Sequence, residues 1–99
     1  MLSIDLGPSG EVRMAGRLDA VQSPAAQSFL DGVDGAVTID CAQLEYISSA
    51  GLGVLLKTHK RLAGNAGGLR LVGVRNHIRD IFKYSGFDKI FVIESASAQ

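Results

Sequence analysis

The stretch Tyr46 to Leu62, YISSAGLGVLLKTHKRL, contains the residues whose types and spacing best suit chemistry. Ser48 and Ser49 stand before a helix-like apolar pattern, and Gly51 and Gly53 follow at once. A glycine inside a helix costs about 1 kcal/mol relative to alanine, so two glycines in the first turns need a reason. The candidate reasons are a catalytic serine, a phosphate-binding loop, a helix cap and a serine that is modified.

Catalysis by Ser49 is disfavoured because the surrounding pattern departs from that of a hydrolase. The nucleophile elbow requires Gly-x-Ser-x-Gly, and Ile47 occupies the place of its first glycine. The candidate bases are His59, which falls on the apolar face of the helix, and His77, in the first turn of a later helix. We expect His59 to be packed and His77 to be exposed, and we expect that the protein is not an enzyme.

A nucleotide site and a metal site receive little support. Gly51 and Gly53 match the first two glycines of Gly-x-Gly-x-x-Gly, but Leu56 replaces the third, and the Gly-Lys-Ser/Thr ending of a P-loop is missing. The lone cysteine and the two histidines show no recognised metal-ligand spacing. We therefore expect no cofactor and no metal ion. Cys41 ends an apolar run, so a small buried thiol is the favoured interpretation and a redox role a minor one.

The serine pair also suits a helix start, where Ser48 or Ser49 would accept a hydrogen bond from a first-turn amide, worth about 1 kcal/mol. A cap alone does not explain the glycines. One outward stripe of the helix contains, at spacings of four, four and three, Ser49, Gly53, Lys57 and Lys60. Gly53 leaves this stripe flat, so a kinase could approach Ser49 closely. A phosphate there would add about −1.5 to −2 charges, which a helix N-terminus tolerates.

Composition limits the class of protein. The 99 residues are 46% apolar and 20% charged, which predicts one domain with one core. Ten basic and ten acidic side chains cancel, so nothing overall predicts nucleic-acid binding. No apolar run reaches the about 18 residues of a membrane helix, and the N-terminus lacks the pattern of a signal peptide. With a single cysteine, these features predict a cytoplasmic protein without membrane insertion.

Hydrophobic periodicity predicts the elements that position the serine pair. Alternation predicts a hairpin of strands at 2–6 and 12–14, followed by a helix from Ser23-Pro24 to near Gly32. Further strands are predicted at 36–39, 69–72 and 90–93, with helices from Ser48-Ser49 to Gly64 and from Asn76 to Gly86. Alternating strands and helices imply parallel pairing through right-handed crossovers. We predict an α/β fold, a mixed sheet of four or five strands with helices mainly on one side.

The same periodicity predicts the buried residues of the helices. The long helix should bury, at the spacing of one helix face, Leu52, Leu55, Leu56, His59, Leu62 and Ala63. The last helix should end at Gly86, after which Phe87 can fold back onto Phe82. Residues 95–99 are small and polar, and we expect a frayed tail.

The segment 44–56, LEYISSAGLGVLL, resembles the signature of the STAS domain family, in its bacterial anti-sigma factor antagonist branch. The resemblance extends over most of the chain. Residues 16–19, GRLD, are similar to the family's G-x-[IL]-D after the second strand. Residues 69–74 match its strand after the long helix, and residues 81–91 its last helix, glycine turn and strand.

The resemblance implies a function as well as a fold. The partner would be an anti-sigma factor that is also a serine kinase of the histidine-kinase-like ATPase fold. That kinase phosphorylates a serine at the start of the long helix and releases the antagonist, and a serine phosphatase reverses the step. In the common motif D-S-[SA]-G-L-G the acceptor corresponds to Ser49. The surface implied for partner binding comprises Asp19, Ser48, Ala50, Gly51, Leu52, Gly53 and Lys57.

Departures from the family pattern leave three alternatives open. Ser48 stands where aspartate is common, so the acceptor is Ser49 or Ser48. Asp19 is a partner contact or a solvated carboxylate in a turn. Some relatives are never phosphorylated and serve as accessory subunits of transporters, such as lipid ABC transporters, or of signalling complexes; a serine at the acceptor position favours the switch.

Overall fold

The computed structural model describes residues 1–64 and 68–95. Its strands and helices follow the order β-β-α-β-α-β-α-β, with a short 3-10 helix before the last strand. The bounds are β1 (Leu2–Leu6), β2 (Val12–Leu18), α1 (Ser23–Asp31), β3 (Val37–Ile47), α2 (Ser49–Ala63), β4 (Leu69–Val74), α3 (Asn76–Ser85), the 3-10 helix (Phe87–Lys89) and β5 (Val92–Ser95). The predicted tail falls partly on residues 96–99, which lie outside the described residues.

The five strands form one mixed sheet in the order β1-β2-β3-β4-β5. The β1–β2 hairpin is antiparallel, and the other three pairs are parallel. The predicted mixed sheet is therefore confirmed with five strands. In the β2–β3 register Leu18 lies opposite Ile47, so the residues that follow the two strands emerge side by side.

The two faces of the sheet differ in polarity because side chains alternate along each strand. The face under the helices is apolar and includes Val12, Met14, Leu18, Ile39, Leu44, Leu71 and Val74. The opposite face carries the exposed ion pairs Arg13–Asp5 and Arg70–Glu94. Exposed pairs of this kind contribute little to stability, so burial against the helices provides most of it.

Helix α2 packs against both the sheet and α1, which widens its buried face beyond the predicted stripe. Val54 and Thr58 are buried, whereas Leu56 and His59 are only half-buried and Ala63 is exposed. The Thr58 hydroxyl donates to the Val54 carbonyl at 2.9 Å and accepts from the Gln27 amide of α1 at 3.3 Å. The sequence pattern identified the sheet contact but not this helix–helix contact.

Arg61 ties α2 to the end of α1. Its guanidinium donates to the carbonyls of Leu30 at 2.7 Å and Val33 at 2.8 Å, and it lies 3.3 Å from the Asp34 carboxylate. Carbonyls at the C-terminal end of a helix lack partners within the helix, and a cation satisfies them. This contact joins α2 to the chain at the end of α1.

Several element boundaries differ from the predicted ones. Strand β3 runs to Ile47 rather than residue 39, because its later polar residues lie on the uncovered side of the sheet. The last strand starts at Val92, since the 3-10 helix occupies the preceding residues. Ser23 and Asn76 are the first residues of their helices rather than caps, and neither preceding residue makes a side-chain cap bond.

The aromatic residues near the end of the chain form one cluster around Phe91. Its ring lies edge-on to Phe82, Phe87 and His59, with centroids 6.1, 5.9 and 5.2 Å away. Gly86 ends α3 with φ of 80°, as predicted. His59 is packed, as expected, and its Nδ1 accepts from the Leu69 N–H at 3.1 Å.

Candidate partner-binding site at the start of helix α2

The start of α2 is anchored to the carboxyl end of β2. The Ser48 N–H donates to the Leu18 carbonyl at 3.0 Å, which continues the β2–β3 pairing by one bond. Because Leu18 and Ile47 are paired, Asp19 and Ser48 leave the sheet as neighbours. The site therefore combines the β2–α1 connection with the first turns of α2.

Ser48 is the N-cap of α2. Its backbone is extended, and its hydroxyl oxygen accepts from the Gly51 N–H at 3.2 Å. The same hydroxyl lies 3.4 Å from the Leu18 carbonyl, to which it donates. The Ser48 carbonyl accepts the Leu52 N–H at 2.9 Å. The half-buried Ser48 hydroxyl therefore stabilises the start of α2.

Ser49 is the first residue of α2 and is exposed. Within residues 1–64 and 68–95 its hydroxyl makes no hydrogen bond, in contrast to Ser48. The first turn of α2 contains no acidic residue. Since the N-terminus of a helix carries a partial positive charge, this position favours an added negative group.

The two glycines of the first turns have different surroundings. A Cβ at Gly51 would lie 2.7 Å from the Leu18 carbonyl oxygen and 2.8 Å from Ile47 Cγ1, so only glycine lets α2 approach the sheet here. A Cβ at Gly53 would meet nothing within 4 Å. Gly51 thus serves close packing, whereas Gly53 keeps the outer surface flat.

The residues predicted to bind a partner divide by exposure. Gly51 is buried and Leu52 is only 9% exposed, so both face the core and support the helix start from beneath. Ala50 and Lys57 are exposed and Gly53 is half-buried. These three line a groove of about 430 Å³ between α1 and α2, together with Ala20, Ser23, Pro24, Gln27 and Val54. The α1 side of the groove was not predicted. The small apolar residues before and within α1 could have indicated it.

Asp19 is half-buried and closes the turn between β2 and α1. Its carboxylate accepts the Gln22 N–H at 3.0 Å, and its carbonyl accepts both the N–H and the hydroxyl of Ser23, at 3.0 and 2.7 Å. The carboxylate therefore has a structural task in the turn that leads to the groove. Sequence reasoning placed Asp19 beside the helix start but did not identify this bond.

Other chemistry-bearing side chains lie away from this site. Cys41 is buried, and burial together with the Asp40 charge raises the pKa of its thiol to about 12. His77 is exposed, with its Nε2 2.8 Å from the Glu45 carbonyl. In the described part of the chain, no group of three or more His, Cys, Asp or Glu side chains could hold a metal ion. No helix among the described residues is long and apolar enough to cross a membrane.

Comparison with known families decides the classification. A family model described as "Mlab, STAS domain" matches residues 5–94. The chain belongs to the STAS domain family. This STAS domain is 39% identical over 67 residues to BtrV of Bordetella bronchiseptica, which is named as an anti-sigma factor antagonist. That alignment covers 68% of this chain and 58% of the length of BtrV.

Solved structures show the same fold. An anti-sigma factor antagonist from Mycobacterium paratuberculosis superimposes with a TM-score of 0.79 at 26% identity, over 95% of this STAS domain and 84% of that chain. SpoIIAA of Bacillus, in a phosphorylated form, gives a TM-score of 0.66 at 18% identity, over 94% of this domain and 90% of that chain. The five-stranded mixed sheet with three helices is thus the STAS fold.

Proposed function

We propose that this STAS domain is a phosphorylation-controlled anti-sigma factor antagonist. In the unphosphorylated state it binds an anti-sigma factor that is also a serine kinase of the histidine-kinase-like ATPase fold, and so releases a sigma factor or an equivalent regulator. The kinase phosphorylates Ser49 and ends the interaction, and a serine phosphatase restores it. The domain acts by binding and has no catalytic residues of its own.

One observation carries this proposal: the two serines at the start of α2 have different tasks. The Ser48 hydroxyl caps the helix, whereas the Ser49 hydroxyl is exposed and has no hydrogen-bond partner among the described residues. A kinase must reach the hydroxyl that it phosphorylates, and that hydroxyl should not be holding the fold. The names of BtrV and of the Mycobacterium structure support the same class of function.

The test is intact-mass spectrometry with peptide mapping on the protein from its native cells, under several growth conditions. We expect a phosphate on Ser49 in some conditions and its loss in Ser49→Ala. Ser48→Ala is the matched control, since it removes the neighbouring hydroxyl and should keep the phosphate. Phosphate on Ser48 would instead show that the cap residue is the acceptor of the phosphate.

A charge mimic tests the consequence of the modification. Ser49→Asp should weaken binding to the partner kinase, while Ser49→Ala should retain it, as measured by isothermal titration calorimetry. Equal affinities of wild type, Ser49→Ala and Ser49→Asp would contradict the switch.

A second candidate is favoured by the description of the family model, which names Mlab. In this alternative the chain is an accessory subunit of a transporter, such as a lipid ABC transporter, and the start of α2 only docks a partner. No phosphate in any growth condition, together with stable co-purification of a membrane complex that Ser49→Ala does not disturb, would establish this alternative.

A further inference from the structure

The groove between α1 and α2 has an apolar floor beside the Ser49 site. Its lining includes Ala20 from the β2–α1 connection, Pro24 from α1, and Ala50, Gly53 and Val54 from α2. Four of these side chains are no larger than proline, and the fifth, Val54, is buried. The Asp19 carboxylate accepts the Gln22 N–H in the turn that leads from β2 to α1. The groove is therefore a shallow, open depression between α1 and α2.

An exposed apolar side chain follows a groove residue in the chain. Val21 follows Ala20 in the chain and is 81% exposed. A β-branched side chain exposed to this extent contributes nothing to the core and adds apolar surface to the connection that supplies Ala20 to the groove.

Among the described residues that line the groove, Lys57 alone carries a charge. Lys57 lines it, and α2 contains no acidic residue along its whole length. The ion pairs of the described residues involve Arg13, Arg61 and Arg70, so in this part of the chain Lys57 has no carboxylate partner. Electrostatic complementarity then favours a carboxylate on whatever enters the groove.

We propose that the groove, with Val21 next to Ala20 in the chain, binds an apolar side chain of a protein partner whose neighbouring carboxylate pairs with Lys57. This inference deepens the proposed function and rests on it for the existence of a protein partner at this end of the molecule. The groove provides affinity and partner selection, while Ser49 provides the control. A medium-sized aliphatic side chain fits the floor, and the lysine fixes its orientation through the adjacent acid.

Photocrosslinking in the native cells tests this surface with the full chain. Val21 is replaced by p-benzoylphenylalanine in one strain, and Val92, an exposed valine on β5, in a control strain. We expect a specific adduct at position 21 and not at position 92. Mass spectrometry of the adduct should place the attachment in a partner segment that contains an aliphatic residue beside an aspartate or glutamate.

Two pairs of variants, each a test and its control, separate the groove from the general surface. Ala50→Arg, which fills the groove, should abolish the adduct, whereas Ala25→Arg, at an exposed α1 position outside the groove, should not. Lys57→Glu should lower the adduct yield about tenfold, with Lys60→Glu as its control, and changing the partner's carboxylate to lysine should restore it. Circular dichroism confirms that each variant is folded.

The outcomes distinguish the groove from the switch. No adduct at position 21, an adduct that survives Ala50→Arg, or an attachment segment without a carboxylate would overturn the groove proposal. Phosphate on Ser49 without an adduct at position 21 contradicts the groove alone. An adduct with the expected chemistry, in cells where Ser49 is never phosphorylated, supports the groove and contradicts the switch.

Discussion

Replacing each glycine of the first turns of α2 by alanine should change stability in opposite directions. Alanine is better in a helix by about 1 kcal/mol, and this gain is common to Gly51→Ala and Gly53→Ala. At Gly51 the new methyl would lie 2.7 Å from the Leu18 carbonyl oxygen and 2.8 Å from Leu18 Cγ, closer than van der Waals contact. At Gly53 it meets nothing within 4 Å.

The magnitudes follow from these distances. Overpacking costs about 1–3 kcal/mol, and a shift of α2 away from β2 would also weaken the bond between the Ser48 N–H and the Leu18 carbonyl, worth about 1 kcal/mol. After the helical gain is subtracted, Gly51→Ala should be about 1–3 kcal/mol less stable than the wild type. Gly53→Ala should be about 0.5–1 kcal/mol more stable.

The assay is urea unfolding followed by far-ultraviolet circular dichroism, with the same m-value for all three proteins. A change of 1 kcal/mol shifts the melting temperature of a domain of this size by about 4–8 °C, so thermal melts give an independent check. If Gly51→Ala unfolds at the same urea concentration as the wild type or at a higher one, close packing does not explain this glycine and the reasoning is refuted.

Other substitutions test separate contacts. Asp19→Asn keeps an acceptor for the turn and should retain partner binding, whereas Asp19→Ala should lose it, as measured by calorimetry. Equal losses of affinity in the two variants would show that the partner contacts the charge of Asp19. Ser48→Ala should lower the free energy of unfolding by about 1 kcal/mol through loss of the cap, and Ser49→Ala should leave it unchanged, in urea melts. Arg61→Met should cost about 1–2 kcal/mol because the carbonyls of Leu30 and Val33, at and just after the end of α1, lose the guanidinium donor, while the Leu30 carbonyl keeps the Val33 N–H. An unchanged urea midpoint would contradict this. Burial raises the pKa of Cys41 from its ordinary value of 9.0 to about 12, so the folded protein should resist thiol reagents near neutral pH until urea unfolds it. Because the folded pKa is the higher one, stability should fall as pH rises from about 9 to about 12.

Gly53→Ala also separates stability from binding. The added methyl stands in the groove between α1 and α2, so this variant should bind the partner less well although it is more stable. Gly51→Ala adds no group to the outer surface. Gly51→Ala should therefore change partner binding only as far as it displaces the start of α2.

Local patterns in the sequence were sufficient for the order and type of the five strands and three α-helices, though not for the 3-10 helix. Period-two alternation at the N-terminus, the apolar run before Asp40, and the spacing of Leu52, Leu55 and Leu62 reflect burial on one face, which is a property of each segment alone. Gly86 marked the end of α3 because only a left-handed residue fits there. The serine pair marked a helix start because a serine hydroxyl can accept a first-turn N–H, which is again a local contact.

Contacts between distant segments decided the rest. The Leu18 carbonyl, thirty positions earlier, accepts both the N–H and the hydroxyl of Ser48, and this holds Ser48 at the sheet while Ser49 stays exposed. Thr58 is buried where it bonds to Gln27 of α1, and nothing in the α2 pattern records where α1 lies. Gly51 and Gly53 are the same residue type two positions apart in one helix. Only the packing of α2 on β2 makes Gly51 indispensable and leaves Gly53 open. A steric clash is a property of two surfaces brought together and not of either segment alone.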